Sequence, residues 1–177
     1  MKKILLIFAL FIFVSGFSQT KATLASYGPV YKIGNTDFKI DLNQEFKAVF
    51  DVASGSEFKD KPNQKFVTVA RYLRLHQAPE LKNNSVKAAL VVHGSAIFDL
   101  LNHEAYALHH NEKNLRNPNY ELLSILSEYD VDLILCGQTS RHRSIDRSKL
   151  HPDIKIALSA MTTLIHFQKK GYTILNF

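Results

Sequence analysis

Three short stretches, "VKAALVVHG" (86–94), "VDLILCG" (131–137) and "IKIALSA" (154–160), are almost unbroken apolar runs, each ending at a small residue. A strand wetted on one face alternates apolar and polar side chains, so a run without alternation belongs to a strand buried on both faces, as in a parallel sheet covered by helices. The segments between these runs carry the complementary signal. From Pro62 to about Gln77, Phe66, Val69, Ala70 and Leu73 recur at helical spacing, with proline opening the helix where its missing N–H is harmless and Pro79 marking its end. Asn119 to Glu128 repeats the pattern through Leu122, Leu123 and Leu126, with Tyr129 just beyond. "FKAVFDV" from Phe46 adds a first strand, helical pieces fall in residues 95–110, and "RHRSIDRSKL" predicts a short helix. Met161 to Lys170 predicts a last helix closed by Gly171, and "YTILNF" a fifth strand. Strand and helix alternating in this way predict a three-layer α/β/α fold around a five-stranded, mainly parallel sheet, flavodoxin-like in layout.

The amino-terminal 45 residues do not follow this rhythm. Met1-Lys2-Lys3 and the uncharged "ILLIFALFIFVSGF" form a basic start and an apolar run bounded by Ser15, Gly16 and Ser18, the pattern of a cleaved export signal. Cleavage is expected after Ser18, which predicts a periplasmic or secreted protein without a membrane anchor, since spanning a bilayer takes roughly 20 apolar residues. No cysteine sits at the junction to carry a lipid. Residues 19–45 then form an arm or small hairpin, with "VYKIGNTDFKI" alternating around Gly34-Asn35, and residues 46–177 form one domain. The chain's net charge of +6 falls by two with Lys2 and Lys3. The remaining cations are scattered and no nucleic-acid motif occurs, so neither nucleic acid nor membrane is an expected partner.

Cys136 is the only cysteine, which excludes an intramolecular disulfide and leaves a buried filler, an intermolecular linker or a reactive thiol. Its position matters more than its count. In an open parallel sheet, ligands bind beyond the carboxyl ends of the strands. The strand ends read from the sequence are Asp51–Ser54, His93-Gly94-Ser95, Cys136-Gly137-Gln138 and Ser159-Ala160-Met161. Gly137 allows a tight turn, Thr139 and Ser140 suit the start of a helix, and Arg141, His142 and Arg143 add positive charge. Such surroundings lower a thiol pKa below its usual value of about 8.5 and make it nucleophilic.

Spacing removes several cysteine and histidine chemistries. A phosphatase or rhodanese loop needs arginine six positions after the cysteine, where this chain has His142. A dithiol oxidoreductase needs a second cysteine. A Cys/His hydrolase with His93 as base requires an adjacency that spacing leaves open. His103-Glu104 begins like a zinc-protease helix but meets Ala107 where the second histidine belongs. With His109 and His110 it reads as a solvated surface, and no metal site or cofactor is expected. "HGSA" is neither a nucleophile elbow nor a phosphate loop. Gly94, Ser95 and Ser159 suit strand-to-helix turns, whose N–H groups can also hold an anion or a sulfur species.

The ordered stretches "VARYLRLH", "LVVHGSA", "LLNHEAY", "NPNYELLSIL", "LCGQT", "ALSAMTTL" and "QKKGYTILNF" resemble the DsrE/DsrF-like family of sulfur-relay proteins, in particular its exported single-domain members. The resemblance implies a five-stranded α/β domain over residues 46–177 that assembles as a homo-oligomer, a trimer or hexamer. It also implies a sulfurtransferase-like carrier whose strand-end cysteine takes up sulfane sulfur as a persulfide and passes it to a partner protein or small thiol. Cys136 looks like that cysteine. Gly137, Gln138 and the following helix start would stabilise its thiolate, while His93 and Arg141 would bind or polarise the incoming sulfur. An exported chain would not meet the cytoplasmic partners of the family, so relay to tRNA is not expected. The rival expectation is a non-enzymatic ligand-binding or oligomeric module in which Cys136 is a buried structural thiol.

Overall fold

A computed structural model describes residues 22–41, 43–76 and 86–177. The expected export segment, and the stretch carrying Gln77 and Pro79, lie outside the described residues. Five parallel strands, β1 (Phe46–Val52), β2 (Val86–Val92), β3 (Asp132–Cys136), β4 (Lys155–Ala157) and β5 (Thr173–Leu175), pair in the order β4-β3-β2-β1-β5. The predicted α/β fold is therefore the observed one. Between them lie α1 (Gln64–Leu75), α2 (His103–His109), α3 (Tyr120–Glu128), α4 (Gly137–His142) and α5 (Ala160–Lys169), with 3₁₀ turns at Gly94–Leu100 and Arg147–Lys149.

The sheet buries its two faces unequally. Alternate residues Ala48, Phe50, Val52, Leu90, Val92, Leu133 and Leu135 pack beneath α1 and α3 in the main core, with Phe66, Val69, Leu122 and Leu126 fully buried. The opposite residues Val49, Ala89, Val91, Ile134 and Cys136 meet Ala160 and Phe167 of α5 in a second, smaller cluster. The strand order explains the asymmetry. Steps from β1 to β4 all proceed in one direction and place their right-handed crossovers on one face, whereas the return from β4 to β5 places α5 alone on the other. One helix cannot cover five strands, so Leu158, Met161 and Ile165 remain exposed around it.

Local chemistry moves several expected boundaries. The first helix is capped by Asn63, whose side chain accepts from the Lys65 N–H at 2.9 Å, so Pro62 precedes the helix instead of opening it. Asn119 occupies the cap position of α3. "RHRSIDRSKL" gives no continuous helix: α4 ends at His142, Ser144 turns with a φ of 52°, and one 3₁₀ turn follows. Residues 30–40 form no strand, and Tyr31, Ile33 and Phe38 are exposed. The arm is tied down earlier, where Leu24 enters the core and Arg74 donates to the Gly28 carbonyl.

A buried polar network, absent from the sequence reading, fixes the loops at the carboxyl edge of the sheet. Asp99 accepts from the Asn63 amide at 2.7 Å and the Ser56 N–H at 2.8 Å; Asn63 N–H donates to Asn119 at 2.7 Å. Asn117 links Asn119 to the carbonyls of Asp99 and Leu101. Burial pushes the Asp99 carboxyl up, against the bonds from Asn63 and Ser56 that pull it down. His103 accepts from the Asn117 N–H and contacts Arg116, so it is part of this scaffold and not of a solvated patch. His109 stacks on Phe98 with centroids 3.8 Å apart.

Two tyrosines tie stability to alkaline pH. Tyr72 donates to the Phe46 carbonyl at 2.6 Å and Tyr106 to the Lys59 carbonyl at 3.0 Å, and burial raises both phenols to about 12. An acid whose folded pKa lies above its unfolded value, about 10 for tyrosine, contributes fully below that value and loses the contribution as pH rises through the folded one. The urea midpoint is therefore expected to fall as pH rises from about 10 to 12, and Tyr72→Phe should flatten that fall while lowering the midpoint at neutral pH.

Candidate functional site

Cys136 ends β3 and is itself the N-cap of α4, ahead of the cap expected at Thr139 or Ser140. It is 6% exposed and lies on the α5 face. Two helix starts converge on its sulfur. Burial pushes the thiol up, but bonds from the Thr139 hydroxyl and from the N–H groups of Thr139, Ala160 and Gln138 outweigh it, so the thiol titrates below its ordinary range. Ala160 is the first residue of α5, which Ser159 caps by accepting from the Thr162 N–H at 3.1 Å. Ser159 thus acts through the helix that it starts. Buried N–H donors of this kind favour the thiolate over the thiol, because only the anion accepts strongly.

Gly137 permits the convergence. A β-carbon there would collide with the Ala157 carbonyl oxygen and come within 3.3 Å of that of Leu158, so only glycine lets β3 turn into α4 against β4. Gln138 donates to the Leu158 carbonyl at 3.3 Å and bridges the same two loops. Gly94 has a φ of 58° and touches the Ala53 carbonyl so closely that a β-carbon would sit 2.5 Å from it. Ser95 accepts from the Gly55 N–H at 3.0 Å and so holds the turn after β1.

His93 follows β2 directly. The last paired positions of the two strands are Val92 and Leu135, so His93 and Cys136 are the next residues on neighbouring strands, and both continue the α5 face. His93 Nε2 lies 3.0 Å from Asp51 Oδ1, with both side chains part-exposed. Asp51 carried no signal in the sequence beyond its place at a strand end. Arg141 stands apart: it is exposed on α4 and makes no hydrogen bond or ion pair through its side chain among the described residues. The thiol is thus served by N–H groups and one hydroxyl, the helix start expected from the sequence joined by that of α5, and none of the basic side chains of residues 141–143 contributes. A groove of about 410 Å³ runs beside it, lined by Ile134, Ala157, Leu158, Thr162, His166 and Lys170.

The described residues contain no group of three or more histidine, cysteine or acidic side chains placed to hold a metal, and no helix long and apolar enough to cross a membrane.

Residues 47–177 match the model of the DsrE/DsrF-like family. The chain belongs to this family. Its fold is shared with two solved structures, the protein of unknown function MTH1491 from Methanobacterium thermoautotrophicum, at 14% identity and a TM-score of 0.54, and the ychN protein from E. coli, at 16% and 0.52. Each alignment covers 75% of this chain and 100% of the other. No curated protein matches the sequence. As a member of the DsrE/DsrF-like family, the chain falls in a group generally linked to sulfur relay.

Proposed function

We propose that this DsrE-like protein is a carrier of sulfane sulfur, with Cys136 as the nucleophile that holds the sulfur as a persulfide and delivers it to an acceptor thiol. The observation that carries the reading is the position of Cys136, which caps α4 at the end of β3 and packs against Ala160, the first residue of α5, so that two helix starts meet at the thiol. A thiolate is the reactive form, and the same donors stabilise it again when it leaves during delivery. Gly137, Gln138 and Ser159 build this cradle. Gly94 and Ser95 shape the neighbouring turn, and we give Arg141 only the role of an exposed charge that meets the donor. The basic-then-apolar residues 1–18 support placing the chemistry outside the cytoplasm, in the periplasm or secreted. The test is the rate of Cys136 alkylation in the native protein as a function of pH. A carrier thiol reacts in the native protein already below the ordinary thiol range of about 8.5; a structural thiol reacts only after denaturation.

The exposed apolar face beside the cysteine favours self-association. Leu158 and Met161 are each 73% exposed and Ile165 54%, flanking Ala160 and Cys136. We propose that a second copy covers this face in a homo-oligomer, a trimer or hexamer, which also encloses the thiol. Met161→Lys is expected to shift the particle to monomer in light scattering while far-ultraviolet circular dichroism is unchanged.

A second reading rests on the cysteine's small exposure and on a separate cleft of about 710 Å³ under α1, lined by Phe46, Phe50, Tyr72, His76 and Phe177. Its size falls in the range of small-molecule sites, about 300–1,000 Å³. In that reading the protein is a binding module and Cys136 is filler. The alkylation profile separates the two.

A further inference from the structure

Sulfur uptake by the Cys136 thiolate requires a proton for the departing thiol, and a group that can supply it stands at the neighbouring strand end. Asp51, on β1, and His93, beyond the end of β2, point to the same face of the sheet as Cys136, and the histidine follows the register position next to the cysteine. A carboxylate only accepts hydrogen bonds, so the 3.0 Å contact from His93 Nε2 to Asp51 Oδ1 requires the proton on Nε2. The ring is thereby held in one orientation, and Nδ1 is the nitrogen left to exchange a proton. The backbone beneath it is equally fixed. His93 N–H donates to the Val52 carbonyl at 2.9 Å, and Gly94 turns the chain away at a position closed to any β-carbon. Neither residue is needed for the core, since both side chains are part-exposed and the network around Asp99 involves neither. A histidine oriented by a carboxylate, at the strand end next to that of a nucleophile, is the arrangement by which protons are moved during covalent chemistry.

We propose that His93, oriented by Asp51, gives its Nδ1 proton to the thiol that departs when Cys136 takes up sulfane sulfur. The inference rests on the carrier reading above. In the step, the Cys136 thiolate attacks the outer sulfur of a hydropersulfide, R–S–SH, and the new Cys136 S–S bond forms as the donor's S–S bond breaks. The electron pair of the broken bond goes to R–S, which accepts the proton from the His93 imidazolium and leaves as R–SH. The outer sulfur keeps its own proton, giving Cys136–S–SH and neutral His93. No oxidant or reductant enters, and solvent restores the proton. Delivery is the reverse exchange with an acceptor thiol, in which neutral His93 takes the acceptor's proton. His93 is then a catalytic residue and Asp51 a positioning residue.

A proton donor to the leaving group reveals itself by its dependence on that group. An alkyl thiolate is basic and gains from protonation as it leaves; an aromatic thiolate of low basicity does not. The experiment compares two donors on the full-length protein, cysteine hydropersulfide and an aromatic disulfide, for the wild type, His93→Gln and Asp51→Asn. Glutamine keeps a donor for Asp51 but exchanges no proton. Uptake from the hydropersulfide is expected to slow about 100-fold in His93→Gln and about tenfold in Asp51→Asn, the scale of general acid catalysis. Reaction with the aromatic disulfide should stay within about twofold of wild type, which also verifies that the variants are folded and the thiolate intact. Equal rates for variant and wild type with the hydropersulfide would overturn the assignment, as would an equal slowing with both donors, the mark of a merely structural role. A wild-type protein that reacts with the aromatic disulfide yet takes no sulfur from the hydropersulfide would overturn the carrier reading itself.

Discussion

Thr139→Val is expected to slow the alkylation of Cys136 about tenfold near neutral pH and to leave the plateau rate at high pH unchanged. The variant keeps the size and branching of threonine but removes the hydroxyl that, with three N–H groups, holds the thiol below its ordinary range. A hydrogen bond to a charged group contributes about 1.5–3 kcal/mol, and one pKa unit corresponds to about 1.36 kcal/mol. Losing the hydroxyl should therefore raise the thiol by at least about one unit and cut the thiolate fraction by the same factor. The sign extends to folding. A thiol with a depressed folded pKa adds stability above its unfolded value, about 8.5, and loses it as pH falls through the folded value. Wild type should thus gain stability on Thr139→Val as pH rises through this window. A pH–rate profile with a chloroacetamide reagent measures the first effect and urea titrations at each pH the second.

The largest loss of stability is expected from Asn63→Ala. This one side chain caps α1 through Lys65, donates to Asp99 at 2.7 Å and donates to the Ser54 carbonyl at 3.0 Å. Removing it costs the cap, about 1 kcal/mol, and strips partners from a buried carboxylate and a backbone carbonyl, each about 1–3 kcal/mol, for a total of about 3–7 kcal/mol. The exposed neighbour Gln64 is the control: Gln64→Ala should change stability by no more than about 0.5 kcal/mol. Urea midpoints, with the slope of the transition unchanged, measure both.

The difference between what could and could not be read from the sequence has a physical origin. Strands β2 and β3 were legible because burial on both faces forces a run such as "AALVV" or "LIL", and helices α1 and α3 because burial on one face imposes helical spacing. The strand-end position of Cys136 followed directly. The helix start after Cys136 was legible too, but the N–H of Ala160 was not, because its backbone carries no side-chain signal and reaches Cys136 only once β4 lies beside β3. Arg141, His142 and Arg143 are close in sequence, but α4 turns Arg141 outward, while the donors that matter come partly from 24 positions away. Asp51 escaped notice because a carboxylate at a strand end reads as a solvated turn residue until a histidine on the adjacent strand reaches it. The Asn63–Asp99–Asn119 network was hidden likewise, since three polar residues far apart in sequence look like surface.

The central claim is that Cys136 accepts sulfane sulfur in the folded protein, and intact mass after brief exposure of the native chain to polysulfide at neutral pH tests it most directly. The account predicts a single added sulfur on most molecules, removed by a reducing thiol and blocked by prior alkylation of Cys136. An unchanged mass in the native state, with sulfur added only once the protein is unfolded, would contradict it and leave Cys136 as packing.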